Sequence, residues 1–377
     1  MSQPKILVIQ TAFLGDLLLS IPLLKNIKRI YPEAELYLLC RQGLGKLMQD
    51  LKVVDHFYEV KKGSSASYKE ILQVLHVFEF EKIYCPHPSL RSALLTWKLH
   101  AGEKIGFKSW WNFFYFHRRV RKDMRYPEAI RLLSLLNGDM ATFIPEEYAS
   151  TNGIQILQPV PDVASMDICA NLVERDTQAH LKNILDRFPG LSFFDSVVQV
   201  VQTGFDGERI KTVAIFPGSV WGTKRWSQKN YTLLAQKFLQ QGWQVILLGS
   251  QDEQELCAQI HKDCSSDQVF NLSGRLSWME TIAVLMLVHL VISNDSGGQH
   301  LAALVSAPTV GIFGPTILEF GFRPWNSNAI VVETHKQLTC RPCGKHGPQV
   351  CPVGTHECME SINVETVWKA GQILLSR

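Results

Sequence analysis

No run in this chain of 377 residues is long and apolar enough to cross a bilayer as a helix. The longest, residues 281–293, falls short of the roughly 20 residues a span needs and carries His289. It reads as a buried helix running into a strand. An excess of charge of one sign is missing as well. The 38 Lys and Arg against 35 Asp and Glu leave a formal net charge of +3, so any basic function has to be local. No charged n-region, apolar h-region and cleavage site precede the first strand-like run, Lys5-Ile6-Leu7-Val8-Ile9, which leads to the expectation of a cytoplasmic protein. There the nine cysteines are expected to be mainly reduced. Low-complexity tracts and short-period repeats are lacking, and 46% hydrophobic with 19% charged residues is the composition of an ordinary globular protein. Two phosphate-binding fingerprints are also missing. The first turn has no G-x-G-x-x-G, which weighs against a nicotinamide dehydrogenase, and no G-x-x-x-x-G-K-[ST] loop.

What is present is an alternation of β-type apolar runs with amphipathic segments. Residues 6–9, 36–39 and 83–85 read as strands, with residues 17–30, 43–51 and 90–100 as the helices between them. A second series of strands covers residues 212–216, 245–248, 269–272, 290–293 and 309–313. That rhythm predicts parallel sheets with crossover helices. The length exceeds one comfortable core, and weaker periodicity with Pro159, Pro161 and Pro189 marks a connecting region near residues 149–208. The expectation is an α/β chain of two Rossmann-like, doubly wound domains, 1–175 and 176–377, whose strand ends face a central cleft. Residues 364–375 read as a last helix, free to pack back on the first domain.

Function is therefore sought in the turns after strands. The first holds Gly15 and Asp16. Asp16 reads either as a helix N-cap or as a carboxylate that takes a proton from an acceptor hydroxyl. In the second domain, residues 217–226 offer small and hydroxyl side chains with Ser219 and Lys224, suited to a diphosphate and to charge on a leaving group. A solvated surface loop is the competing reading. Residues 294–300 bring Asp295, Ser296, Gly297, Gly298 and His300 to another strand-to-helix turn, with a buried, satisfied histidine as the alternative for His300. A third turn offers Glu253 either to a ribose hydroxyl or only to a helix dipole.

Together these segments resemble the ADP-heptose:lipopolysaccharide heptosyltransferases, family 9 of the inverting GT-B glycosyltransferases, and their heptosyltransferase II-like branch. The matching residues are Gly15-Asp16 with Pro22, Arg91-Ser92-Ala93 through to Gly106-Phe107, Pro217-Gly218-Ser219 with Lys224-Arg225-Trp226, Ser273-Gly274-Arg275-Leu276, Asn294-Asp295-Ser296-Gly297 with His300, and Phe313-Gly314-Pro315-Thr316. The resemblance implies a GT-B fold and transfer of a heptose from ADP-heptose to the inner core of lipopolysaccharide by direct displacement with inversion. It implies Asp16 as general base and Lys224 as the cation at the leaving diphosphate. Gly15, Ser219, Glu253, Leu276, Asp295, Ser296, Gly297 and His300 would bind the donor, with Leu276 beside the adenine. No cofactor or metal is expected to be required. Gly298 departs from the usual bulkier residue.

Residues 104–125 interleave seven aromatics with cations. This suits either a surface meeting anionic lipid head groups or phosphorylated sugar, or a helical hairpin with core aromatics and solvated arginines. Arg118, Arg119 and Arg121 are the acceptor-binding candidates, and the implied location is the cytoplasmic face of the inner membrane, peripherally bound, with no nucleic-acid partner. Cys340, Cys343, Cys351 and Cys358 allow either a structural zinc site, although the second pair is widely spaced, or packing cysteines, reduced or disulfide-linked. Two alternatives stand beside transfer: a GT-B-fold nucleotide-sugar 2-epimerase, which needs no acceptor, and a non-catalytic nucleotide-sugar-binding protein.

Overall fold

The computed structural model describes residues 3–137, 148–151, 154–157 and 211–377. The chain forms two compact units, Met1–Pro145 and Glu146–Arg377. The expected boundary at 175/176 lies outside the described residues.

The first unit is built on six parallel strands: β1 (Lys5–Gln10), β2 (Glu35–Arg41), β3 (His56–Val60), β4 (Glu79–Cys85), β5 (His100–Phe107) and β6 (Arg118–Val120), in the order β3-β2-β1-β4-β5-β6. β1 is central because Ile6, Leu7, Val8 and Ile9 are apolar on both faces, and all four are fully buried. Each such side chain contributes roughly 1.5–3 kcal/mol of burial. The amphipathic stretch after β1 is two helices, Leu14–Leu19 and Ile21–Ile30, because Ser20 breaks the run and Pro22 sits in the first turn of the second. The helix read over residues 90–100 ends at Lys98, and His100 opens β5. The helical-hairpin alternative for residues 104–125 is overturned. This stretch is the end of β5, a loop and β6, with Ile105, Gly106 and Phe107 in register with Arg118, Arg119 and Val120.

Among its described residues the second unit has eight strands. β7 (Tyr148–Thr151) and β8 (Ile154–Leu157) form an antiparallel hairpin at the edge. β9 (Thr212–Phe216), β10 (Gln244–Leu247), β11 (Val269–Asn271), β12 (Leu290–Asn294), β13 (Thr309–Phe313) and β14 (Ala329–Glu333) are parallel, and the order is β11-β10-β9-β12-β13-β14-β8-β7. Residues 281–293 are, as expected, a buried helix (Trp278–Leu287) followed by β12. The last helix, Val364–Leu375, puts Val367, Ala370 and Leu374 into the core of this unit, where Trp368 packs 4.8 Å from Phe238. That core accounts for its apolar face.

Candidate functional site

In each unit the strand order reverses at one central strand, β1 or β9, and the crevice beyond the carboxyl ends at such a point is where open α/β sheets take ligands. The turns singled out from the sequence leave the sheets there.

In the second unit, β9 and β12 are neighbours and their turns are knitted together by buried polar groups. Asn294 is fully buried. Its Oδ1 accepts from Trp226 N at 3.0 Å and Tyr231 Oη at 2.8 Å, and its Nδ2 donates to Pro217 O at 2.9 Å and Gly218 O at 3.1 Å. One residue away, the Asp295 carboxylate accepts from three elements: Lys224 Nζ at 2.5 Å, Thr316 Oγ1 at 2.6 Å and Gln299 Nε2 at 3.0 Å. All four residues of this network are buried. An ammonium has three N–H donors, so the ion pair fixes Lys224 without exhausting it.

The helix Gly297–Leu304 starts directly after Ser296, whose side chain makes no cap bond; its Oγ stands 3.4 Å from Ser293 Oγ. The uncapped amides and the helix dipole favour an anion. His300, in the same helix, is 3% exposed. Burial, and secondarily the Lys224 charge working against Asp295, push its pKa down to about 4, so the ring is neutral. Its Nδ1 has no hydrogen-bond partner among the described residues. His300 is therefore buried, as the competing reading held, but not satisfied. Gly298 has a packing reason: a Cβ there would fall 2.5 Å from the Phe216 ring on β9. Glu253 closes a capping box by accepting from Ser250 N at 2.7 Å, and its Oε1 lies against Gly218 in the turn after β9. The dipole-partner reading accounts for one oxygen; the other borders the crevice. Ser219 is buried, with its Oγ accepting from Trp221 N at 3.3 Å, and Leu276 is half-buried after β11.

In the first unit, Asp16 is not an N-cap. Phe13 holds that place, with no side-chain cap bond, and half-buried Asp16 stands in the first turn of the helix Leu14–Leu19 with Gly15 beside it. Its charge acts on Lys62, whose pKa is lowered by burial and by Arg41 and Arg91, and raised by Asp16. Arg41 and Lys62 both sit over the Phe13 ring, at 4.6 and 4.7 Å from its centroid. Behind them Thr11 Oγ1 meets His87 Nδ1 at 2.9 Å, and Ser92 Oγ lies 3.0 Å from the same nitrogen. Burial and the Lys62 charge take His87 down to about 4.

The profile of glycosyltransferase family 9 (heptosyltransferase) matches residues 182–350. The chain is 33% identical over 169 residues to the lipooligosaccharide heptosyltransferase 2 of Campylobacter jejuni, an alignment covering 44% of this chain and 51%, about half, of that relative. It is 23% identical over 329 residues to the lipopolysaccharide heptosyltransferase 2 of Salmonella typhimurium, covering 84% of each. The solved structure of the Escherichia coli ADP-heptose lps heptosyltransferase II superposes with a TM-score of 0.69 at 19% identity, over 99% of this chain and 98% of that one. The chain thus resembles the family-9 heptosyltransferases, the family profile covering 169 of its 377 residues. Its fold is GT-B, two Rossmann-like units.

Reading the sequence missed several residues of these crevices. Arg41, Arg91 and Asp16 all act electrostatically on Lys62 from separate segments, and no local motif announces this grouping. Asn294 and Thr316 were part of quoted motifs but had no assigned role. Of the three acceptor candidates, Arg118 is committed internally: it pairs with Glu103 at 2.9 Å and donates to Leu135 O and Leu136 O at 3.0 and 3.2 Å. Arg119 is half-buried and Arg121 exposed.

The cysteine-rich segment also proved to be a clamp on the turn after β9. Thr223 Oγ1 donates to Pro348 O at 2.5 Å, Gly222 N to Gln349 Oε1 at 3.1 Å, and Gln349 Nε2 to Val220 O at 2.9 Å, while His356 Nε2 bonds Thr223 O at 2.7 Å. Arg341 donates to Gly314 O and Thr316 O at 2.7 and 2.8 Å. Cys340, Cys343, Cys351 and Cys358 are unbonded thiols lining one small cavity. Among the described residues no three His, Cys, Asp or Glu side chains are arranged to hold a metal ion. Burial raises the Cys351 thiol, but the amides of His356, Val353, Gly354 and Thr355 outweigh it and bring its pKa below the ordinary value.

Proposed function

We propose that this chain transfers a heptose from ADP-heptose to an anionic, lipid-anchored core acceptor with inversion, in contact with the face of a membrane. The observation that carries the reading is the network around Lys224, Asp295 and His300. A buried ammonium held by an immovable carboxylate, an uncapped helix amino end and a neutral histidine with an unpartnered nitrogen form a site that awaits an anion with hydrogen-bonding capacity. A nucleotide diphosphate meets that description. Its diphosphate takes the helix amides, and Lys224 meets the charge that grows on the leaving oxygen as the anomeric bond breaks. Ser219 and the free side of Glu253 border the same crevice.

Asp16 is the base. It accepts the proton of the attacking hydroxyl as that oxygen bonds to the anomeric carbon, and ADP departs from the opposite face. Arg41, Lys62 and Arg91 take the place of Arg118 as the group that receives the acceptor's negative charges, because Arg41 and Arg91 lie within electrostatic reach of Lys62, as Asp16 does, while Arg118 is spent on Glu103 and two carbonyls. The names of the relatives support heptose as the sugar and a lipopolysaccharide or lipooligosaccharide core as the acceptor class.

Purified protein incubated with ADP-heptose and a panel of truncated cores is expected to add the mass of one heptose to one of them. Release of ADP should be faster with that core present. A donor sugar altered without any acceptor would replace transfer by epimerisation, and donor binding with no turnover on any core would reduce the protein to a binding module.

A further inference from the structure

The loop between β5 and β6, residues 108–117, exposes what folding ordinarily hides. Trp110 is 90% exposed, Phe114 74% and Phe113 53%, and the last two rings lie 3.7 Å apart. Single exposed apolar side chains are common; three exposed aromatics within five residues of one loop, two of them in ring contact, are a patch. The loop is also firmly built. Buried Asn112 accepts from Ser109 N at 2.9 Å and donates to Phe107 O at 2.8 Å, and His117 N returns to Lys104 O at 2.8 Å. Phe116 is buried against Gly106, where a Cβ would fall 2.6 Å from its ring, and Trp111 and Tyr115 pack onto the core of the unit. The fold thus uses three aromatics of this loop and leaves three outside.

The charge around the patch is one-sided. From Lys104 to Lys122 the chain has six Lys or Arg and no Asp or Glu. The bracketing acids are occupied, Glu103 by Lys82 and Arg118 and Asp123 by Arg125. We infer that this loop seats the protein on an anionic lipid surface: Trp110, Phe113 and Phe114 enter the head-group layer while exposed Lys108 and Arg121 meet lipid phosphates. A ring as exposed as Trp110 protrudes rather than lining a groove, which suits a fluid interface that needs no matching shape. The loop leaves the carboxyl end of β5, and β5 lies two strand spacings, about 10 Å, from β1, whose carboxyl end leads to Asp16. A lipid-anchored acceptor held at that surface would come up beside the base. This last step rests on the proposed transfer reaction; binding to lipid does not.

Co-sedimentation with phosphatidylcholine vesicles, with and without phosphatidylglycerol, tests the inference on the full chain. The wild type is expected to bind the anionic vesicles and to lose affinity with added salt. W110S/F113S/F114S should bind them about tenfold or more weakly, with an unchanged thermal midpoint and unchanged turnover of a water-soluble, delipidated core. K108E/R121E should abolish the preference for phosphatidylglycerol. No sedimentation of the wild type with anionic vesicles, or undiminished sedimentation of the folded triple variant, overturns the inference. So does a wild-type dimer in analytical ultracentrifugation that the triple variant dissolves, because the patch would then face a second copy. Failure of heptose transfer with vesicle binding intact would sink the proposed reaction and leave the lipid seat standing.

Discussion

The crevice ends of the two units occupy the same place in the same topology and are built on opposite terms. In the second unit the polar groups are buried, bonded to each other across three turns, and clamped from outside by the cysteine-rich segment. In the first unit Lys62 and Arg91 are exposed and the cations lean on aromatic faces. The former arrangement suits one fixed ligand whose charge must be met without reorganisation. The latter suits an acceptor whose charged groups vary in position, because long cationic side chains can follow them. On the proposed reaction, chemistry divides the same way: donor activation in the rigid crevice, proton removal at the adaptable edge.

Removing the base breaks the comparison hardest. Asp16→Asn is expected to lower turnover by about 10²–10⁴-fold while donor affinity, read by calorimetry with ADP-heptose, stays within error. Unchanged turnover would strip the first unit of any chemical role. Lys224→Met comes next, at about 10²–10³-fold in kcat. It also strands the buried Asp295 carboxylate, so the thermal midpoint should fall, whereas Asp16→Asn should leave it in place. If Lys224→Met weakened only acceptor binding, the assignment of donor and acceptor to the two units would be reversed.

The alternation of strands and helices was legible because β1, β2, β9, β12 and β13 are near-continuous apolar runs, which follow from burial on both faces. β3 and β6 escaped. His56–Val60 has one buried residue, and β6 is three residues long with two arginines, so neither carries a periodic signal. The donor-side turns were legible for a different reason: Gly, Ser, Asn and Asp concentrated between apolar strands have no core to fill. The cationic rim was not, because Arg41, Lys62 and Arg91 are far apart in sequence and only the side-by-side order of β2, β3 and β4 around β1 brings them together. Asp16 illustrates the limit. Its spacing from β1 was readable, yet only the helix start at Leu14, with Phe13 as the uncapped N-cap, separates first-turn carboxylate from cap.

A smaller perturbation sharpens the claim that the second crevice is a network rather than a collection of contacts. Thr316→Val keeps the buried shape and removes one O–H from Asp295, leaving Lys224 and Gln299 as its donors. Loss of a hydrogen bond to a charged group costs about 1.5–3 kcal/mol. If Thr316 acts by holding Asp295 and thereby Lys224, kcat should fall about tenfold or more with KM for the acceptor unchanged, and Thr316→Ser should restore it. Equal loss in the serine variant would make the residue a packing element only.

Acid is expected to weaken the two units together, since each contains one histidine kept neutral by burial. His87 and His300 both have folded pKa values of about 4, below the ordinary value of 6.5. Between those values the unfolded chain binds more protons than the folded one, so stability is complete above pH 6.5, declines as the pH falls, and stops declining near 4. On the order of 1–3 kcal/mol is at stake for each group. Urea denaturation at pH 7 and pH 5 should show the drop, and His87→Asn and His300→Asn should each flatten it, despite their own cost at pH 7. ADP-heptose is expected to distinguish the units here. By bonding the unpartnered Nδ1 of His300 it should reduce the acid sensitivity contributed by His300 and leave that of His87 as it was. Equal protection of both, or of His87 alone, would place the donor somewhere other than the crevice between β9 and β12.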